Sequence, residues 1–405
     1  MTKIEGSRVG IVGGSIGGCA AAIALSRIGC HVTVFERSSG ALRDRGSGIA
    51  IPRPLRDELK SAGYLPADYP TFDMTARRFV VADGTPTGKV CWVQPGDAVT
   101  NNWGVLWRGL RDALPDSVDY RDGVSVTCVD TSADSVTLNV DGVTSEFDAV
   151  IGADGYRSQL RRMLHPESQP NYAGYVLWRG NFPASRLSDT AVWDEVVRTG
   201  EWLTVGFEGG HGVMYPIPDF GDDSDRLRVN WAIYAPTPIG LDIAEPSSIP
   251  PGHVDPAAFA QYEQLLAEHF PPAVRQLFTS PADEVSIQPI YDELVDSYTS
   301  GRIALIGDAA TLARPHTGSG ATKALQDARL LESLGAAHDE WETLLAAYVD
   351  DRTPAGRALV ELGRRIGRDK VERTPAWRDM SPDDFDAWAK GSLDGAQLYF
   401  WDSER

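Results

Sequence analysis

The chain carries a turn built to hold a phosphate, Gly13-Gly14-Ser15-Ile16-Gly17-Gly18. Glycines let a backbone fold tightly and approach a pyrophosphate, whose charge then rests on free N–H groups at a helix N-terminus. Glu36 follows roughly twenty residues later, the spacing at which a carboxylate accepts hydrogen bonds from a ribose diol. Gly13, Gly14, Ser15, Gly18, Glu36 and the adjacent Arg37 are therefore candidate nucleotide contacts, with Ser15 in the second glycine position of the fingerprint. Two more turns place an aspartate after an apolar run: Asp154-Gly155 within Val150–Ser158, and Gly307-Asp308 within Ala304–Ala310. His211, in Gly209-Gly210-His211-Gly212-Val213-Met214-Tyr215-Pro216, could accept a hydroxyl proton directly or through water. Tyr215 could hydrogen-bond the same oxygen, and both serve equally well as hydrogen-bonded structural residues.

These residues need elements to position them. Arg8–Val12 reads as a short, fully buried parallel strand, and Ala20, Ala21, Ala24, Leu25 and Ile28 then recur at helical spacing before Gly29. The next strand, from His31, ends at Glu36, so strand, glycine turn, helix, strand and acid follow in the order a dinucleotide fold requires. Phe147–Ala153 is a buried strand ending at Asp154, preceded by alternating runs and an Asp141-Gly142 turn that predict a small β-meander. Gly301–Ala310 is another buried strand ending in Gly307-Asp308. The loop Arg314-Pro315-His316-Thr317-Gly318-Ser319-Gly320 leads from it into a helix with Lys323, Asp327 and Leu330. Trp178, Trp231 and Phe207 are expected in the core rather than on a ring-binding wall.

Composition narrows the classes. A length of 405 residues allows two or three domains, and a formal net charge of −19 argues against nucleic acid or an anionic membrane as partner. Neither a secretory leader nor a transmembrane run is expected, which points to the cytoplasm. Cys19, Cys30, Cys91 and Cys128 lack metal or redox spacing and read as reduced core fillers, and no metal is expected.

Taken together, the ordered motifs resemble the single-component FAD-dependent aromatic hydroxylases, in particular the 2,6-dihydroxypyridine 3-hydroxylase branch. Ile287–Asp292, Gly301–Ala310, Ala313–His316, Lys323-Ala324, Trp103–Arg108, Gly174–Gly180 and Asn230-Trp231 carry the branch-level match. Thr311 and Thr322 depart from the wider family, which often has His and Asn there. The resemblance implies an α/β fold with a discontinuous Rossmann-like FAD-binding domain (1–70, 99–168 and 280–340). It further implies a β-rich substrate domain (71–98 and 169–279) and a C-terminal helical segment (341–405). It adds Arg45, Arg108, Asp154, Asp308, Pro315, Gly318 and Gly320 to the cofactor contacts, with Asp308 holding ribityl hydroxyls and His316 beside the flavin.

The implied reaction is a monooxygenation. NADH or NADPH reduces FAD without a Rossmann domain of its own, O₂ gives a C4a-hydroperoxyflavin, and an electron-rich aromatic ring of hydroxypyridine or phenol type is hydroxylated. His211, Tyr215 and His316 are the candidate catalytic residues, and the partners are a small aromatic substrate and O₂, with a homodimer left open. Two other readings stand beside this one: a tailoring monooxygenase that epoxidises or performs Baeyer–Villiger insertion on a polycyclic substrate, and a non-catalytic FAD-binding protein.

Overall fold

The computed structural model describes residues 2–40, 47–131, 135–219, 226–243 and 248–394. Its first sheet has six strands in the order Thr299–Ser300, Ile303–Leu305, Ala149–Gly152, Arg8–Val12, His31–Glu36 and Asp119–Asp122. All neighbours run parallel except the first pair. Runs such as Val9–Val12 and Val150–Ile151 are buried on both faces, which is why they read as continuous apolar segments rather than alternating ones. Val12 pairs with Gly152, and Gly152 with Leu305. The chain therefore leaves three adjacent strands at one carboxyl edge, and at that edge stand the glycine turn, Asp154 and Gly307-Asp308. Ligands of open parallel sheets bind at such an edge.

The expected meander forms a separate three-stranded antiparallel sheet over 126–131, 136–140 and 143–147. Its second turn has positive φ at both Asp141 (47°) and Gly142 (85°), the conformation that matches the twist of a hairpin.

The second large sheet has eight strands: Ser286–Asp292, Asn171–Pro183, Leu227–Pro236, Gly210–Pro218, Glu201–Phe207, Phe72–Val81, Lys89–Asn102 and Gly48–Pro52. Two of its strands fall outside the ranges read from the sequence for the substrate part. Ser286–Asp292 and Gly48–Pro52 lie in segments assigned to the cofactor part, yet they form the two edges of this sheet. Local pattern identifies a strand but not its partner, because pairing with a strand far along the chain, as Gly48 with Asn102 and Asn171 with Asp292, leaves no local trace. One face is covered by the helix Pro256–His269, against which Trp178, Trp231 and Phe207 are buried as expected, together with Phe270 and Phe278. Trp178 and Trp231 both stack on Tyr262.

A 27-residue helix, Trp341–Gly367, joins the two sheets. Its first half (Trp341, Leu344, Tyr348) sits in the core of the parallel sheet, and its second half (Leu359, Leu362, Ile366) packs on Tyr215 and Ile217 of the second. It continues into a single wide π-turn, Arg368–Glu372. Cys19 and Cys30 are buried free thiols, Cys91 is half-buried, and the side chain of Cys128 lies outside the described residues. Among the described residues no helix is long and apolar enough to cross a membrane.

Candidate functional site

The glycine turn is dictated by close approach. A Cβ on Gly13 would lie 2.3 Å from the Ala153 carbonyl oxygen, and one on Gly18 1.8 Å from that of Gly13. Gly13 also adopts φ 105°, open only to glycine at low cost. The Gly14 N–H donates to Glu36 Oε2 (2.8 Å), and its carbonyl accepts from Trp107 Nε1 (2.9 Å) and Tyr120 Oη (3.0 Å). Ser38 N–H donates to Glu36 Oε1 (2.8 Å). The buried Glu36 thus braces the turn, and its remaining lone pairs are acceptors for a ribose. Ser15 precedes the helix Ile16–Arg27 without a side-chain cap, so first-turn N–H groups face the ligand side unbonded by its hydroxyl. Arg108 is half-buried on the helix Trp103–Asp112, next to Trp107, and Arg37 is exposed. Arg45 lies outside the described residues.

Asp154 and Asp308 face the same edge with different duties. Asp154 Oδ2 accepts from the N–H groups of Gln159 (2.7 Å) and Leu160 (3.4 Å), while Oδ1 is buried with no partner among the described residues. Arg161, 1% exposed, donates to the carbonyls of Asp308 (2.7 Å), Ala309 (3.1 Å) and Tyr156 (2.6 Å), and pairs with Glu293 at 2.8 Å. From the other side, Lys323 Nζ donates to the Gly307 carbonyl (2.7 Å) and pairs with Asp327, which accepts from the Gly307 N–H (2.8 Å). The main chain of the turn is thereby clamped, while the Asp308 carboxyl makes no hydrogen bond among the described residues. Burial pushes that carboxyl above the usual range, against the pull of Lys323 and Arg161. It borders a groove with Tyr156, Tyr291, Leu312, Ala313 and Pro315. Gly318, at φ 65°, ends the short turn Pro315–Thr317, and helix Gly320–Ala337 starts beside Asp308. FAD fits this set: unbonded helix N–H groups for phosphate, Glu36 for ribose, and an orphaned Asp154 oxygen and a free Asp308 carboxyl for hydroxyls.

Pro315 also borders a second cavity, on the side of the eight-stranded sheet. Its walls include Arg77, Thr204, His211, Tyr234, His316 and Lys370, with no Asp or Glu among the described lining residues. His211 and His316 are ring-stacked with Tyr234 between 4.0 and 4.7 Å, centroid to centroid. Burial pushes both imidazoles well below their usual value, so both are neutral. Lys370 adds to this for each, ahead of Arg77 at His211 and after the His211 ring at His316.

The proton on His316 can be placed. Arg314 Nη1, which can only donate, lies 3.2 Å from Tyr175 Oη, and that oxygen lies 2.7 Å from His316 Nε2. Burial raises the Tyr175 hydroxyl well above its usual value, so it keeps its proton. The arrangement that uses this proton has Tyr175 donating to Nε2, leaving the ring hydrogen on Nδ1. Nδ1 is buried and has no partner among the described residues, so it is a preset donor to a ligand. Gly367 makes the contact feasible: a Cβ there would lie 2.3 Å from Tyr175 Oη.

The structure brings His211 and His316 together, and it leaves Tyr215 apart. Tyr215 lies four residues along the strand, packs on Trp202 at 4.5 Å, and is not among the residues lining this cavity. Burial pushes its hydroxyl up to about 12. Five side chains carry no assigned role in the sequence reading: Arg77, Tyr175, Tyr234, Arg314 and Lys370. Tyr175 and Arg314 stand inside quoted segments, but Arg77 and Lys370 sit in charged stretches that look like solvated surface.

Comparison with known proteins places the fold among flavoenzymes. A family model described as FAD binding domain matches residues 258–362, and one described as pyridine nucleotide-disulphide oxidoreductase matches 8–64. The chain is 31% identical to the 2,6-dihydroxypyridine 3-monooxygenase of Paenarthrobacter nicotinovorans, over 83% of this chain and 86% of that protein. It is 30% identical to a 3-amino-4-hydroxybenzoate 2-monooxygenase of Streptomyces platensis, over 91% of this chain and 90% of that one. The solved 2,6-dihydroxypyridine-3-hydroxylase from Arthrobacter nicotinovorans superposes with a TM-score of 0.79 at 26% identity, covering 91% of this chain and 94% of its own.

Proposed function

Because the chain belongs to the FAD-dependent aromatic-ring monooxygenases, the family of 2,6-dihydroxypyridine 3-monooxygenase, we propose that it hydroxylates an electron-rich ring of hydroxypyridine or phenol type, consuming NAD(P)H and O₂. The observation that carries this reading is the position of Pro315, which borders both the groove of Asp308 and the histidine cavity. When bound, FAD supplies a redox centre that accepts a hydride from NAD(P)H and then activates O₂.

The protein's own residues do the rest. Glu36 and the first turn of helix Ile16–Arg27 hold the adenosine and pyrophosphate end, and Asp154 and Asp308 hold hydroxyls. Tyr234 stacks on both imidazoles, which also meet each other at 5.3 Å, and the three rings form a continuous wall that limits water at the ring. Neutral His211 can take a proton from a ring hydroxyl at its free nitrogen, which makes the ring more electron-rich, while Nδ1–H of His316 supplies a fixed donor.

The test is NAD(P)H oxidation by the FAD-loaded protein with hydroxypyridines and phenols, with products weighed by mass spectrometry. Stimulated oxidation with a product heavier by one oxygen supports the reading. An oxygenated polycyclic ketone or alkene instead replaces it with the tailoring reaction, and no flavin reduction with any compound leaves a binding protein.

A further inference from the structure

The cavity contains a buried amine with no counter-ion among the described residues. Lys370 is 5% exposed, and its ammonium makes no hydrogen bond or ion pair among the described residues. Asp369, next to it, is held by Arg368 at 2.9 Å. Arg77, also 5% exposed, lines the same cavity from strand Phe72–Val81, with its guanidinium 5.7 Å from the Trp202 ring. A charge taken out of water costs several kcal/mol, of order, unless something of opposite sign meets it. The carboxylates of this region, Asp292 and Glu372, are engaged with Arg314 at 2.8 and 2.7 Å.

We propose that Lys370, with Arg77 beside it, is the anion-binding end of the cavity, and that the aromatic substrate presents an anionic oxygen to it, a ring carboxylate or an ionised ring hydroxyl. The inference rests on the monooxygenase reading for the ring, and on Lys370 for the charge. The wide turn Arg368–Glu372 sets the lysine on the cavity side, and turns of this kind recur at functional sites. The neutral histidines that line the same cavity supply no competing charge. Burial, with Arg77 as the next cause, pushes the Lys370 ammonium well below its usual value, a cost that a bound anion removes.

The experiment uses the FAD-loaded full chain and follows the flavin absorbance change and thermal shift on titration with four rings of matched size. They are benzoate, benzamide, a neutral phenol, and an electron-poor phenol ionised at the working pH. Either anion is expected to bind at least tenfold more tightly than benzamide. Lys370→Met should erase that preference, and Lys370→Arg should keep part of it. A preference for benzoate identifies a carboxylate, and one for the ionised phenol identifies a ring oxyanion. Lys370→Gln replaces the methionine variant if that one fails to retain FAD. Equal affinity of the wild type for anions and benzamide overturns the proposal, as does an unchanged preference in a folded Lys370 variant. NAD(P)H oxidation in the same samples separates the two readings: anion preference without any oxygenated product sinks the monooxygenase reading alone, and oxygenation without anion preference sinks this one alone.

Discussion

Arg161 Nη1 donates to the main-chain carbonyl of Asp308 at 2.7 Å, so the helix that follows the Asp154-Gly155 turn holds the Gly307-Asp308 turn in place. The same guanidinium reaches Ala309 and Tyr156 and pairs with Glu293, which is 2% exposed. Arg161→Met is expected to destabilise the protein by about 3–5 kcal/mol, because it strands the Glu293 charge and three carbonyls. Arg161→Lys should recover little, since an ammonium cannot span the fork of acceptors. Urea unfolding with matched slopes checks both.

In the proposed function the side chain of Asp308, not its main chain, meets the cofactor. Asp308→Ala should leave the unfolding midpoint of the apoprotein nearly unchanged and weaken FAD about tenfold or more, the loss of a hydrogen bond to a charged acceptor. Equilibrium flavin-fluorescence titration reads the affinity. Unaltered affinity would remove Asp308 from the site.

Gly13→Ala must place a Cβ against the Ala153 carbonyl at a backbone conformation of φ 105°. The expected outcome is a loss of about 1–3 kcal/mol together with failure to retain FAD through gel filtration. Gly155→Ala offers a contrast, since a Cβ there meets nothing within 4 Å; its only cost is the positive φ of 76°.

Tyr175→Phe removes the hydroxyl that orients His316 while Arg314 keeps its bonds to Asp292 and Glu372. Stability should change by about 1 kcal/mol, whereas kcat should fall about tenfold or more with KM and FAD content little altered. A variant that loses stability but not kcat would make the contact purely structural.

The cavity also predicts a pH dependence. Unfolded histidine binds a proton near pH 6.5, but folded His211 and His316 do not, because burial first, and then Lys370, Arg77, Arg314 and, at His316, the His211 ring disfavour it. Their folded values are lowered, so the unfolded state takes up more protons as pH falls. Stability is therefore full above about pH 6.5 and declines below it, by up to about 1.4 kcal/mol per pH unit for each histidine. Urea midpoints from pH 8 to 5.5 should show a shallower decline in His211→Gln/His316→Gln than in the wild type.

What could be read from the chain follows a physical line. Short-range chemistry was legible: apolar runs buried on both faces, the glycine turn with Glu36, the Asp141-Gly142 hairpin, and the aspartates that end strands all depend on neighbours within a few residues. His211 was nominated by residue type, His316 by the resemblance that sets it beside the flavin, and Tyr215 by proximity in sequence, which a strand does not convert into proximity at one cavity. Only tertiary structure decided that Ser286–Asp292 and Gly48–Pro52 close the second sheet, that Arg161 clamps the Asp308 turn, and that Tyr175 fixes the proton on His316. Lys370 and Arg77 are the clearest case. Each lies in a charged stretch that reads as surface, and they share one buried cavity because a strand near residue 77 and a π-turn near residue 370 pack on the same face. Pairing and packing at such separations are selected by the summed fit of whole elements, so the residues that acquire unusual environments carry no mark of it in their own neighbourhood.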